Sequence, residues 1–341
     1  MTAPALRRDA TSTSRPSRRI DLRNLALVPV IIAVMVLGAV TNSAFLTYNN
    51  LINNVVTTSA ALGILVIAES VILIGGHFDL SLQSTVGFAP MLLAVIVAAP
   101  GDNNGLGLSF GVALLIGLAV VLFIGLANGF MVAKMKLNAF IVTLAMLILI
   151  QGFTLGISGG QTYVGLPAAM TYVGDGSVVG LPVQVPIFVL AFGLGYGFMK
   201  YTPTGRSIYA MGGNLEAARA AGIRTTRLTL GLFIFGSLLA ALSGLMLAGR
   251  VASATATLGD NIIFTVFAAA VIGGISLNGG RGNLIGAALG VILLGIIQNI
   301  LILSNVPSFW INAAYGAIIL AALLVGWLSS TVRSSSRGVA A

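Results

Sequence analysis

The sequence contains no cysteine, one histidine and very few charged residues. Lys, Arg, Asp and Glu make up only 7% of its 341 residues, whereas a soluble domain carries about 25%. So few charges cannot cover a water-exposed surface, which excludes a soluble globule and a disordered chain. The lack of cysteine excludes a disulfide scaffold and a thiolate metal site. The single histidine, His77, excludes a multi-histidine metal site, and we predict no metal and no cofactor.

Apolar residues dominate what is present. Hydrophobic residues make up 57% of the chain, and the mean hydropathy is +1.05. Because a helix that crosses a bilayer needs about 20 apolar residues, the continuous apolar runs predict an all-α, polytopic integral membrane protein with about ten transmembrane helices. The ten runs cover residues 25–42, 52–74, 83–100, 108–131, 138–157, 184–199, 228–248, 262–279, 284–303 and 310–328.

The positive charges fall almost entirely on one side of this ten-span arrangement. With the N-terminus in the cytoplasm, 16 of the 17 Lys and Arg residues are cytoplasmic, and only Arg250 falls outside. The positive-inside rule therefore predicts that both termini are cytoplasmic. We predict a basic, disordered tail over 1–24, a transmembrane domain over 25–328 and a C-terminal tail over 329–341.

The longest predicted cytoplasmic loop, 200–227, contains signals for a short helix. Asn214 is a favourable N-cap, Glu216 lies in the first turn, and Gly222 suits the position after a helix C-terminus. We predict a helix over Leu215–Ala221. A helix of two turns is unstable alone, so it packs either on its own bundle or against a partner that moves the membrane domain.

Three glycine-rich segments, in order along the chain, carry a resemblance to a known family. They are Gly-Gly-His-Phe-Asp-Leu-Ser at 75–81, Gly-Arg-Ser-Ile-Tyr-Ala-Met-Gly-Gly-Asn at 205–214, and Val-Ile-Gly-Gly-Ile-Ser-Leu-Asn-Gly-Gly-Arg-Gly at 271–282. Together they resemble the permeases of ribose-type ABC importers, within the branched-chain amino acid/ribose permease family. The first segment departs from the family pattern, because His77 and Phe78 replace a single residue.

The resemblance implies the transmembrane permease subunit of an ABC importer, which moves a monosaccharide such as ribose, xylose or galactose by ATP-driven alternating access. The chain has no Gly-x-x-x-x-Gly-Lys-Ser/Thr loop for phosphates, so ATP hydrolysis is expected on a separate chain. The implied partners are ABC ATPase subunits, an extracytoplasmic sugar-binding protein and a second or sister permease in a bacterial inner membrane, without nucleic acid. The implied ATPase-docking residues are Gly205, Arg206, Gly212, Gly213, Asn214, Glu216, Ala217, Ala218 and Gly222.

Several polar side chains fall inside the predicted spans. Glu69 is the only acidic residue in the middle of one of them, and charged groups at that depth usually face a cavity or a partner. Neutral polar groups suit sugar hydroxyls, but they also join helices by hydrogen bonds. The candidates for a substrate path are Asn53, Asn54, Glu69, Asn128, Gln151, Gln298 and Asn299. Two alternatives stay open, namely a proton-coupled transporter that uses Glu69 and an amino-acid importer permease of the same family.

Two glycine pairs end apolar runs in the two halves of the chain. Gly75-Gly76 and Gly273-Gly274 are either hinges near the transport path or ordinary turns between spans. Their similar settings suggest an internal repeat. Asp79 follows the first pair, and we expect it near the membrane surface, where it would cap the next helix through Leu80 and Ser81.

Overall fold

The computed structural model describes residues 27–101, 104–307, 309–311, 313–317 and 320. Within them the chain forms twelve α-helices, one π-helical segment and four strands of two residues each. The predicted tails and most of the predicted tenth span lie outside the described residues. The α-helices are α1 Val28–Thr41, α2 Thr57–Ile74, α3 Ser81–Val97, α4 Phe110–Ala133, α5 Ala139–Ser158, α6 Ala168–Asp175, α7 Gln184–Tyr201, α8 Pro203–Gly213, α9 Leu215–Ala220, α10 Thr225–Arg250, α11 Ile262–Ile272 and α12 Leu284–Leu303.

The first nine predicted spans each coincide with a helix, namely α1 to α5, α7 and α10 to α12. Five helical stretches of the described chain are long and apolar enough to cross a membrane, and the bent pair of α7 and α8 makes a sixth if counted as one. Helices α1, α3 and α11 are apolar but shorter. The all-α, multi-pass architecture is confirmed, whereas the number ten and the orientation stay predictions. The run 262–279 is helical only to Ile272, because Gly273 and Gly274 end α11.

Helix α2 lies at the centre of the bundle. Its residues from Ser59 to Ile74 are all buried, and it packs against α7, α10, α11 and α12. Small residues allow the close packing. The Ser243 hydroxyl of α10 donates to the carbonyl of Ala61 at 2.8 Å, and a Cβ on Gly295 of α12 would overlap the Ser59 hydroxyl. Burial on all sides explains why α2 is apolar around its whole circumference.

Helices α4 and α5 form the outside of the bundle and expose large apolar side chains. Leu115 and Phe123 of α4 are 69% and 68% exposed, and Ile141 and Ile148 of α5 are 66% and 65% exposed. A soluble protein rarely exposes a continuous apolar surface of this size. These side chains therefore fit contact with lipid rather than with water.

A π-helical segment, Asn49–Val56, precedes α2 and continues into it without a break. Its wider turn is seen where the backbone amide of Thr57 donates to the carbonyl of Ile52, five residues earlier. Such segments are frequent at functional sites. The apolar pattern of the second span contained no signal for it.

The connection 158–183, predicted as a loop, is partly folded. It contains α6, which packs against α10, and three of the four strands. The strand β1, Tyr163–Val164, pairs antiparallel with β4, Ser253–Ala254, and β2, Ser177–Val178, pairs with β3, Leu181–Pro182.

The predicted loop 200–227 contains two helices rather than one. Helix α7 continues to Tyr201, and α8 follows at an angle of 74°. The bend lies at Thr202, whose hydroxyl accepts a hydrogen bond from the amide of Gly205 at 3.0 Å, and Pro203 takes the first helical position. Threonine at the N-cap followed by proline is a recognised helix start, so this missed helix carried a readable local signal.

Candidate functional site

Helix α9 forms as the sequence predicts. The Asn214 side-chain oxygen accepts a hydrogen bond from the amide of Ala217 at 2.9 Å, which caps the first turn. At the other end Gly222 has a φ of 81°, and the amide of Ile223 donates to the carbonyl of Ala218 at 3.0 Å. This is the Schellman arrangement, which needs a left-handed residue that glycine adopts without strain. The helix ends one residue before the predicted end.

The two faces of α9 have different surroundings. Leu215, Glu216, Ala217 and Ala220 are exposed, and Glu216 forms a 2.8 Å ion pair with Arg219 on the same surface. Ala218 is only 3% exposed and packs in the main core of its own chain. The prediction that Ala218 belongs to the docking surface is therefore wrong, because its side chain faces the bundle.

The other predicted docking residues also divide by exposure. Arg206, Gly213, Asn214 and Gly222 lie at the surface. Gly205 is buried, and a Cβ there would overlap the carbonyl of Met199. Gly205 therefore allows the tight turn between α7 and α8 and is not available as a contact for another protein.

The glycine pairs after α2 and α11 end their helices in the same way. Gly76 and Gly274 have φ values of 82° and 85°. The amide of His77 donates to Ile72 at 3.1 Å, and the amide of Ile275 donates to Ala270 at 2.9 Å, which are equivalent Schellman bonds. Both pairs are thus helix C-caps rather than breaks within a continuous helix, and this agrees with the interpretation as turns. Their likeness fits the suggested internal repeat.

The three glycine-rich segments, far apart in sequence, meet at one place. The amide of Gly280 donates to the carbonyl of Ile74 at 2.8 Å. A Cβ on Gly212, at the end of α8, would overlap that same carbonyl and lie 2.7 Å from the Gly280 nitrogen. We call this contact of residues 74–76, 212–213 and 279–280 the glycine joint. Sequence analysis identified each segment but not their contact.

Two acids form the centre of a buried polar cluster between α2, α3 and α4. The Asp79 amide donates to Glu69 Oε1 at 3.4 Å. Asp79 Oδ1 accepts from the amide and hydroxyl of Ser81, and Asn128 Nδ2 donates to the Ser81 hydroxyl at 2.8 Å. Asp79 does assist the start of α3, but it is completely buried. Its carboxyl group is therefore enclosed by protein, and its position near the membrane surface stays a prediction.

Two of the predicted path residues hydrogen-bond to distant parts of the chain. Asn299 of α12 donates to the Asn50 side chain at 2.9 Å and accepts from it at 2.8 Å, so the two amides form a reciprocal pair. Gln151 of α5 donates to Asp260, in the turn before α11, at 3.0 Å. Gln298 is half-buried on α12. The reciprocal pair favours helix packing as the role of Asn299.

Asn53 and Asn54 line a polar cavity of about 510 Å³ at the end of the bundle that carries α6. Arg250 also lines it and donates from Nη2 to the Asn53 carbonyl at 3.0 Å. Asp175 and Ser177, from the partly folded connection, complete the polar wall. This end is the predicted outer side, since Arg250 is the one basic residue placed there.

The histidine contacts protein groups. His77 Nε2 lies 3.1 Å from the Thr229 hydroxyl, and its ring lies against Phe233 with a centroid distance of 5.9 Å. Burial lowers the pKa of His77 to about 4, so the ring is neutral at pH 7. In the described part of the chain, no three His, Cys, Asp or Glu residues are placed to hold a metal ion.

Comparison with known proteins identifies the family. The family model for the branched-chain amino acid transport system permease component matches residues 51–328. The ribose import permease protein of Bacillus subtilis is 31% identical, over 86% of this chain and 89% of that protein. The corresponding protein of Haemophilus influenzae is 32% identical, over 89% and 92%. The xylose transport system permease protein of Escherichia coli is 28% identical, over 94% of each.

No solved structure matches the chain significantly. The family match covers most of the chain, and its relatives are permease proteins of transport systems rather than enzymes. Helix α9, the three glycine-rich segments and helices α2 to α12 lie inside the matched region. The chain is a multi-pass membrane protein that belongs to the branched-chain amino acid transport system permease family.

Proposed function

We propose that the chain is the transmembrane permease subunit of an ABC importer that brings a monosaccharide, such as a ribose-, xylose- or galactose-like sugar, into a bacterial cell. The observation that carries this proposal is the match over nearly the whole chain to ribose and xylose permeases. The polar, mostly uncharged lining of the cavity at Asn53 and Asn54 is compatible with sugar hydroxyls.

The ATPase subunits would bind the exposed face of α9. This face combines two small apolar side chains, Ala217 and Ala220, with the charged Glu216–Arg219 ion pair. ATP binding would draw the ATPases together and displace α9, and the bundle would open toward the outside. A sugar-loaded binding protein would release its ligand there, and ATP hydrolysis would return the bundle to the inward-open state. Arg206, Gly213 and Asn214 border the same surface.

The sugar would enter through the cavity beside α6. Asn53, Asn54 and Thr57 offer neutral donors and acceptors on one wall, and Arg250 offers a guanidinium group. A cavity of about 510 Å³ is large enough for a small ligand. The extracytoplasmic binding protein would dock over this opening, and a second permease, identical or related, would complete the transporter in the inner membrane.

The buried acids give a specific reason to test a second candidate, a proton-coupled transporter. Glu69 and Asp79 are both fully buried, and neither forms an ion pair within the described residues. Carboxyl groups in such surroundings often carry protons in pumps and transporters. In the ABC importer the same cluster would be structural, because Ser81 and Asn128 connect it from α3 to α4.

Reconstitution separates the two candidates. The chain is co-purified with its ATPase and binding protein and placed in liposomes, and uptake of labelled ribose and xylose is measured. If the chain belongs to an ABC importer, uptake requires ATP on the side of the membrane where the ATPase is bound. Uptake then continues when a protonophore removes the proton gradient. Uptake that follows an imposed proton gradient without ATP would contradict it. ATP-driven uptake of amino acids but of neither sugar would favour the amino-acid importer.

A further inference from the structure

We infer that Gly212 is a positioning residue that holds the docking helix in direct backbone contact with the end of α2 and with the connection between α11 and α12, so that these three parts move as one body during transport. This inference rests on the proposed function, since it assigns the route by which displacement of α9 reaches the bundle. Gly212 is the second-last residue of α8, and only Gly213 and Asn214 separate it from α9.

The contact at Gly212 has no room for a side chain. Its hypothetical Cβ would overlap the carbonyl oxygen of Ile74 and lie 3.0 Å from the carbonyl carbon of Gly75. The same Ile74 oxygen accepts the 2.8 Å hydrogen bond from Gly280. One carbonyl group of α2 is therefore shared between the end of α8 and the connection from α11 to α12.

Gly279 and Gly280 of the joint are constrained in the same way. A Cβ on Gly279 would lie 2.7 Å from the Gly212 oxygen and 2.8 Å from the Gly76 Cα. A Cβ on Gly280 would lie 2.5 Å from both the Cα and the nitrogen of Gly213. Gly76, Gly279 and Gly280 also have left-handed φ values of 82°, 79° and 66°. The conformation therefore favours glycine at all three positions, and the space also requires it at Gly279 and Gly280.

Backbone contact transmits displacement better than a side-chain contact would. Side chains change rotamer, whereas directly packed backbone segments must move together or separate. A second tie strengthens the joint, since the Tyr209 hydroxyl of α8 donates to the carbonyl of Gly282 at 3.0 Å. Displacement of α9 would thus reach the central helix α2 and the helices α11 and α12 without an intervening flexible group.

Two helical glycines supply a matched pair of variants. Gly212→Ala places a methyl group on the Ile74 carbonyl, whereas a Cβ on Gly193 of α7 has nothing within 4 Å. Both residues are in helices, so both substitutions raise helix propensity. We expect Gly193→Ala to transport like the wild type. We expect Gly212→Ala to insert in the membrane but to lose at least about 10-fold in sugar uptake, equal to about 1.4 kcal/mol.

A folded Gly212→Ala chain that transports at the wild-type rate would overturn the inference. A distance measurement tests it without this variant, in case Gly212→Ala does not fold. Because the chain has no cysteine, Arg224→Cys and Asn278→Cys give two defined sites for spin labels outside the docking face. Both residues are exposed, and they lie on the connection after α9 and on the connection after α11.

We expect the distance between labels at 224 and 278 to be the same in the nucleotide-free and ATP-trapped transporter. A control pair, at 224 and at the exposed Val179 of the β2–β3 turn, should change between the two states. A changed distance between 224 and 278 would overturn the inference. A different result would contradict the proposed function itself, namely an unaltered chain that binds no ATPase or shows no ATP-driven sugar uptake.

Discussion

Two adjacent alanines of α9 allow docking to be separated from folding. Ala217 is exposed, whereas Ala218 is 3% exposed and packs in the core. Glutamate at each position adds the same volume and charge, but to opposite faces of the helix. We expect Ala217→Glu to abolish binding of the ATPase without unfolding the permease, and Ala218→Glu to destabilise α9 itself.

The expected magnitudes differ because the surroundings differ. At position 217 a carboxylate lies in the first turn of α9, where the helix dipole and the free amide groups favour an anion. Its effect on folding is therefore within about 0.5 kcal/mol. In a docked complex the same charge would be buried without a partner, at a cost of about 3–5 kcal/mol. Association with the ATPase should then weaken by more than about 100-fold.

At position 218 the carboxylate would enter the core that α9 shares with the bundle. An uncompensated buried charge costs several kcal/mol, which exceeds what a helix of six residues contributes by itself. Helix α9 should therefore detach from the bundle. The apolar spans are unchanged, so the protein should still insert, but with a lower melting temperature.

Three measurements on the two variants test whether the exposed face of α9 binds the ATPase. Size-exclusion chromatography in detergent with thermal melting reports folding, co-purification reports ATPase binding, and uptake reports transport. Ala217→Ser, which adds neither charge nor much volume, is the control and should resemble the wild type. A well-folded Ala217→Glu that still binds the ATPase and transports would refute the assignment of this face as the docking surface.

Three further predictions follow from the cluster, the amide pair and the predicted orientation. Glu69→Gln keeps an oxygen that can accept from the Asp79 amide, so ATP-dependent uptake should persist; loss of uptake in a folded protein with normal ATPase stimulation would contradict a structural role. Asn299→Leu removes the reciprocal bonds to Asn50 and should lower stability by about 1 kcal/mol in thermal melting, with transport retained. A cysteine at Ala217 should react with an impermeant reagent in inverted vesicles but not in intact cells; labelling from outside would contradict the predicted orientation.

Helix α9 could be predicted because its signals are local. An asparagine cap, an acid in the first turn and a glycine stop act within nine residues of one another, from Asn214 to Gly222. The apolar runs likewise predicted the positions of nine helices, because a segment that lies in lipid must be apolar along its whole length. Helix α8 carried an equivalent signal in Thr202 and Pro203, and the proline was not interpreted as a helix start.

The glycine joint could not be predicted from the sequence, because nothing local states which turns meet. Gly76 and Gly279 are more than two hundred residues apart, and their contact depends on how the helices around them pack. The orientation of Ala218 also depends on tertiary packing, because α9 is too short for an apolar stripe that would show which alanine is buried. The burial of Asp79 could not be predicted either, because acids are mostly solvent-exposed.

The glycine pairs also bear on where motion takes place. The two glycine pairs belong to the complete Schellman caps that end α2 and α11, in which the last carbonyl groups of each helix accept hydrogen bonds. Opening such a cap would leave several backbone groups without hydrogen bonds, and in a buried setting each costs about 1–3 kcal/mol. The end of α2 is in addition fixed by Gly212 and Gly280. Rotation at these glycines is therefore unfavourable, and the helices that meet at the joint should rotate together as rigid rods. Bending is then expected where the hydrogen bonding is weaker, and the π-helical segment Asn49–Val56, which lines the polar cavity through Asn53 and Asn54, is the part of the central span that meets this condition.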